Sequence, residues 1–142
     1  MQGARPVSQK AATIPHHRVT AGILRENGRV FIARRPEGKL LGGLWEFPGG
    51  MCDAREKGES CLRRVWLETL GVEVLPGDDL GVYHHAYSHY RVTVQAMECA
   101  VIDGKPKAIN HTEIRWEKIA DLANYPMGKV DRMIAERLAK PH

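Results

Sequence analysis

Residues 42–72, GGLWEFPGGMCDAREKGESCLRRVWLETLGV, constrain this chain more than any other stretch. They pass from an apolar strand end at 44–47, through a Pro-Gly-Gly break at 48–50 and a charged loop, into a helix. Leu62, Val65, Trp66 and Thr69 recur at helical spacing, and Gly71 follows where a helix C-cap is expected. A strand, a glycine-rich loop and a helix so close together must fold as one unit, and the rest of the chain has to supply the sheet on which it packs.

The flanking sequence is suited to that. Residues 18–25, RVTAGILR, alternate and are rich in β-branched side chains, Asn27-Gly28 is a hairpin turn, and residues 29–34, RVFIAR, return as the partner strand. Residues 72–75 read as a short strand ended by a turn at 76–79, followed by strands at 81–87, 91–101 and 113–117. Residues 118–125 read as a short helix stopped before Pro126. The chain closes in an amphipathic helix over 128–140, with Val130, Met133, Ile134 and Leu138 inward. Strands mixed with helices in this order predict an α/β sandwich. Residues 1–15 are polar, small and patternless and read as a flexible tail or interdomain linker, leaving 16–142 as the folded domain.

A chain of 142 residues suffices for one core. Its excess of 21 Lys and Arg over 17 Asp and Glu suits an anionic partner, a nucleotide or a nucleic acid, without identifying one. Cys52, Cys61 and Cys99 fit no zinc spacing and are expected as reduced thiols. The cluster His84, His85 and His89 fits none either. No apolar run reaches the ~20 residues of a membrane span, and the N-terminus has no apolar signal core. A cytoplasmic protein without a membrane partner is the expectation.

The strand–loop–helix unit resembles the Nudix box, G-x5-E-x7-R-E-U-x-E-E-x-G-U, where U is a bulky aliphatic residue. Gly50, Glu56, Arg64, Glu68, Gly71 and Val72 fall in register, and Trp66 takes an aliphatic position. Val65 and Thr69 stand where the family has glutamates. The resemblance implies a Nudix α/β/α sandwich with a mixed sheet. At about 100° per residue, positions 65, 68 and 69 share one face of a helix. Three carboxylates there would hold magnesium, a hard cation that lends its charge to phosphate chemistry. Glu68 alone can share a magnesium already bound to phosphate, but it cannot build a cluster. No resident metal or cofactor is therefore expected. Magnesium and Glu68 enter only if the chain hydrolyses its ligand, with Glu56 and Arg64 beside them. The ordinary role for Glu68 is an ion pair with Arg64 one turn back. Glu56 is expected to stabilise the loop, and Glu59 to favour the helix start.

Two Nudix groups share the approach to the box seen in residues 34–50, RRPEGKLLGGLWEFPGG. They are the MutT-type 8-oxo-dGTP hydrolases and the C-terminal domain of the A/G-specific adenine DNA glycosylase MutY. Residues 83–93, YHHAYSHYRVT, resemble the second group's Phe-Ser-His segment, with Tyr87 in place of phenylalanine. Trp116, Leu122, Tyr125 and Pro126 resemble its C-terminal signature, and residues 6–15 its linker. That resemblance implies a domain that recognises 8-oxoguanine in DNA during repair of oxidative damage, with a glycosylase domain supplied in cis or in trans. Ser88, whose hydroxyl both donates and accepts, would meet the lesion's N7–H and C8 carbonyl, with Tyr87, His89 and the flanking Tyr90 around it. Arg34, Arg35, Lys39, His85 and Arg91 would contact DNA or its phosphates. The competing expectation is a magnesium-dependent, MutT-like hydrolase cleaving 8-oxo-dGTP or another nucleoside triphosphate. The missing glutamates at 65 and 69 favour the DNA reader.

Overall fold

The computed structural model describes residues 14–140. The tail expected over 1–15 falls, up to residue 13, outside them. Strand β1 (His16–Glu26) turns through Asn27 and Gly28, both at positive φ, into β2 (Arg29–Arg34). Then come β3 (Trp45–Glu46), β4 (Gly49–Met51), helix α1 (Gly58–Leu70), the long strands β5 (Glu73–Ala86) and β6 (Arg91–Asp103), and β7 (Glu113–Lys118). A 3-10 turn (Ile119–Asn124) and helix α2 (Lys129–Ala139) finish the described chain.

The sheet is mixed and runs β3-β2-β1-β6-β5, with β4 added to β1 and β7 to β2. Its centre is the parallel pair β1–β6, in register from His16 opposite Arg91 to Leu24 opposite Cys99. Thr20 to Leu24 are buried without alternation, as expected of a strand covered on both faces. One cover is α1, whose Leu62, Trp66 and Leu70 pack with Phe31, Val72, Val74 and Met97. The other is α2, whose Val130, Ile134 and Leu138 pack with Ala21, Ile32, Phe47 and Val94. This is the α/β/α sandwich expected.

Three boundaries differ from the sequence reading, each for a physical reason. The Pro-Gly-Gly break continues as strand β4, pairing Gly49–Met51 with Val19–Ala21. A Cβ on Gly49 would lie 1.7 Å from the Thr20 carbonyl oxygen, so only glycine lets the two backbones come this close. The turn expected at 76–79 does not end a strand. Register shifts at Pro76, Asp79 and Val82 absorb it as irregularities within a continuous β5. The short helix at 118–125 is a 3-10 turn over Ile119–Asn124.

Helix α1 begins after Lys57, which makes no side-chain cap, and carries Glu59 in its first turn. It ends at Gly71, which at φ 65° directs its N–H to the Leu67 carbonyl at 3.1 Å. Trp66 anchors it: the ring is fully buried, and its Nε1–H donates to the Pro48 carbonyl at 2.9 Å. The same carbonyl accepts the Gly22 N–H at 2.8 Å, so helix, loop and β1 are joined at one oxygen.

Candidate nucleotide cleft and box helix

On the α2 side of the sheet a cleft of about 320 Å³ opens above the β1–β6 pair. Val19, Ala21, Val92 and Val94 form its floor. Tyr87 and Tyr90 close one side from the β5–β6 turn, and β4 runs along another. The two tyrosine rings stack at 4.7 Å and 23°, because the turn between them is pinned by the Tyr87 N–H donating to the Tyr90 carbonyl at 2.7 Å. An apolar slot walled by aromatic rings suits a flat heteroaromatic ring.

Its polar groups are few and fixed. Asp131, in the first turn of α2, lines the cleft, and its Oδ1 accepts the Phe47 N–H at 3.0 Å. Burial of this carboxyl, with the nearby Glu46 carboxylate adding to it, pushes its pKa up to about 8, against the opposing pull of the Phe47 N–H and Arg35. Asp131 therefore keeps its proton to higher pH than an ordinary aspartate, and in that form its carboxyl donates one hydrogen bond and accepts others. Glu46 is held between Arg35, at 2.9 Å, and His111, at 2.8 Å. Arg35 is braced in turn by its Nε–H donating to the Leu40 carbonyl at 2.7 Å.

The box helix lies on the other side of β4. Glu56 accepts from Arg64 Nε and Nη2, both at 2.8 Å, and from the Asp53 N–H at 3.0 Å. Arg64 and the Asp53 amide hold this carboxyl down at about 2. Arg64 also donates to the Met51 carbonyl at 2.9 Å and pairs with Glu68 at 3.3 Å. Glu56 thus fixes the loop, as expected, and the ordinary partner of Glu68 is present. The other two positions of the arc bring no carboxylate to a cation. Val65 is buried, and its methyls lie about 3 Å from where a Cβ on Gly50 would stand. Thr69 directs its hydroxyl to the Val65 carbonyl at 2.7 Å. The donors of α1 fit a share in a magnesium that arrives bound to phosphate; they do not fit a resident magnesium cluster.

The residues assigned to base recognition separate. Tyr87 lines the cleft, whereas Ser88 and His89 are exposed at the tip of the β5–β6 turn. Of the cations assigned to phosphate, Arg35 lines the cleft. Arg34 is engaged by Glu113, Glu37 and the Gly43 carbonyl. Lys39 and Arg91 are exposed, and His85 packs edge-on against Tyr87 at 4.5 Å. Sequence reasoning missed Asp131 and Glu46. Glu46 sits inside the apolar run WEF, where an acid buried to 9% exposure requires partners, and that was the available signal. Asp131 resembles any first-turn acid of a surface helix. No helix among the described residues is long and apolar enough to cross a membrane.

Comparison with known proteins gives the same architecture. The chain is 27% identical over 128 residues to the CTP pyrophosphohydrolase of Escherichia coli, covering 87% of this chain and 95% of that one. It is 30% identical over 121 residues to a proposed 8-oxo-dGTP diphosphatase of Mycobacterium tuberculosis, covering 80% and 82%. The solution structure of the E. coli ORF135 protein superposes with a TM-score of 0.77 at 26% identity, over 89% of this chain and 91% of that one. Similarity to the adenine DNA glycosylase of Rattus norvegicus is 26% over 89 residues, 61% of this chain and 17% of that protein. A match so partial does not single out the glycosylase group, and the wider set of MutT-like relatives replaces that narrower expectation. The family model described as NUDIX domain matches residues 19–137, and with the box remnant and the sandwich around it the chain belongs to the Nudix family.

Proposed function

We propose that this chain is a MutT-type Nudix hydrolase acting on nucleoside triphosphates, 8-oxo-dGTP among them, with the base seated in the cleft. The observation that carries this reading is an apolar slot walled by Tyr87 and Tyr90 and lined by Asp131, a carboxyl whose pKa is raised. When protonated, that carboxyl can donate to a base carbonyl or ring nitrogen and accept from an amino or N–H group, which is what a nucleobase edge requires. The phosphates leave the cleft over Gly49–Met51 toward Arg64 and Glu68, which Arg64 joins to the Met51 carbonyl. The substrate is the magnesium nucleotide, and the magnesium supplies charge stabilisation at the phosphates. This chain's own residues bind the base, and Glu68 shares the incoming cation.

The test is diphosphate release from 8-oxo-dGTP, dGTP and CTP with magnesium, alongside binding of the same nucleotides. Glu68→Gln should abolish turnover and leave affinity within about twofold. Tyr87→Ala should weaken binding about tenfold or more, since stacking a base on an aromatic ring contributes ~1–3 kcal/mol. Absence of both turnover and binding across the panel refutes the reading.

A second reading keeps the fold and drops the hydrolysis: recognition of 8-oxoguanine in DNA. It is favoured by the single acid on the α1 arc and by Ser88 and His89 standing exposed at the turn beside the cleft. It requires tighter binding of an 8-oxoguanine duplex than of a guanine duplex, a preference that Ser88→Ala reduces. Equal affinities discard it.

A further inference from the structure

We propose that Cys52, Glu56 and Cys61 form a binding site for a soft divalent cation of the zinc type, separate from the nucleotide cleft. Their two sulfurs and a carboxylate oxygen all lie within 4.8 Å of one another. A tetrahedral zinc, with bonds of ~2.3 Å to sulfur and ~2.0–2.2 Å to oxygen, needs its donors about 3.5–4 Å apart. Small side-chain rotations at the half-buried Cys52 would close that gap.

The three donors have different anchors, and each leaves a position for the ion. Cys61 is buried in the first turn of α1, where its thiol lies 3.5 Å from Thr20 Oγ1 and 3.6 Å from the Gly50 carbonyl. Glu56 is oriented by Arg64 and the Asp53 amide, which occupy three of its roughly four acceptor positions. Cys52 lines a separate cavity of about 120 Å³ with Arg18, Thr20, Thr93 and Gln95, which has room for a water as fourth ligand. Two thiolates and a carboxylate exceed the charge of a divalent cation. Arg64 and Arg18 flank the cluster and offset the excess, Arg18 donating to the Glu56 carbonyl at 2.7 Å. Two sulfur donors select a zinc-like ion over magnesium or calcium. A bound ion would tie the loop after β4 to the start of α1.

The experiment titrates the reduced full chain with cobalt(II), read by absorbance, and with zinc against a chromophoric chelator. One cobalt per chain is expected, with a thiolate-to-cobalt charge-transfer band and tetrahedral d–d bands. Cys52→Ser and Cys61→Ser should each diminish the band and weaken zinc binding at least tenfold. Cys99→Ser should leave both unchanged. Glu56→Gln should weaken binding and keep the charge-transfer band. Should Cys61→Ser fail to fold, the half-buried Cys52→Ser decides alone, with a second readout: zinc raises the Tm of the wild type and not of this variant. No thiolate band in the wild type, or a band that survives Cys52→Ser unchanged or depends on Cys99, overturns the proposal. Nucleotide binding is not a readout here, so failure of either proposal leaves the other standing.

Discussion

Asp131→Asn isolates the carboxyl on which the proposed base recognition rests. Asp131 is an acid whose folded-state pKa, about 8, lies above its unfolded value near 3.9. Below about pH 4 both states hold the proton. Between about pH 4 and about pH 8 the unfolded chain is ionised while the folded chain stays protonated, so stability falls by ~1.4 kcal/mol per pH unit. Above about pH 8 both states are ionised and the contribution is flat. From about pH 6 to about pH 9 this one group therefore removes ~2–3 kcal/mol of stability. Asparagine keeps the size of the side chain and an oxygen for the Phe47 N–H, and it does not titrate. Urea denaturation of both proteins at matched ionic strength gives the difference, in which all other titrations cancel. The wild type should lose stability relative to Asp131→Asn as pH rises to about 8 and run parallel to it above. Glu46→Gln removes the neighbouring carboxylate and should move the break to lower pH. Nucleotide affinity should fall through the same range in the wild type, as the donor proton leaves, and not in Asp131→Asn. A stability difference independent of pH would show that the carboxyl is already ionised at neutral pH and would refute the assignment of a donor to the cleft.

Other perturbations test the packing and the box. A Cβ on Gly22 would stand 2.8 Å from Trp66 Nε1, so Gly22→Ala should cost ~1–3 kcal/mol by overpacking in denaturant melts. Trp66→Phe, which removes the indole's second ring, should make that alanine less costly in a double-mutant cycle. Val65→Glu with Thr69→Glu places three carboxylates on the α1 arc and should produce saturable manganese binding with turnover raised about tenfold or more, at some loss of stability because Val65 is buried. Unchanged turnover despite manganese binding would place the limit elsewhere than in the helix charge.

The fold was readable where local rules and burial coincide. The period of Leu62, Val65, Trp66 and Thr69 with Gly71 behind it located α1, and Asn27-Gly28 located the hairpin. Strand β4 was not readable, because glycines at 49 and 50 signal a break unless the nearness of Thr20 is known. The same limit applied to the site. Glu56 and Arg64 were legible from spacing, being eight residues apart in one loop–helix unit. Asp131 meets Glu46 and Phe47 across more than eighty residues of sequence, and its environment comes from the fold rather than from its neighbours. Cys52 and Cys61 were visible as residues, but their approach across the loop was not.

Arg64 decides how the box can take a cation. Its guanidinium is shared among Glu56, the Met51 carbonyl and Glu68, so the one arc carboxylate is already partnered. A free magnesium would have to shed much of its water for a single ligand in return. A magnesium that arrives on a triphosphate has most of its oxygens in place, and Glu68, 60% exposed, can turn from Arg64 to it at little cost. Removing the base contact should then abolish metal capture together with nucleotide binding, whereas in a helix with three acids the two would separate. Manganese binding to the wild type that requires nucleotide, and that Tyr87→Ala weakens in parallel with the nucleotide, is the expected pattern. Manganese bound as tightly without nucleotide, and lost in Glu68→Gln, would mean that the helix holds its own ion despite Val65 and Thr69.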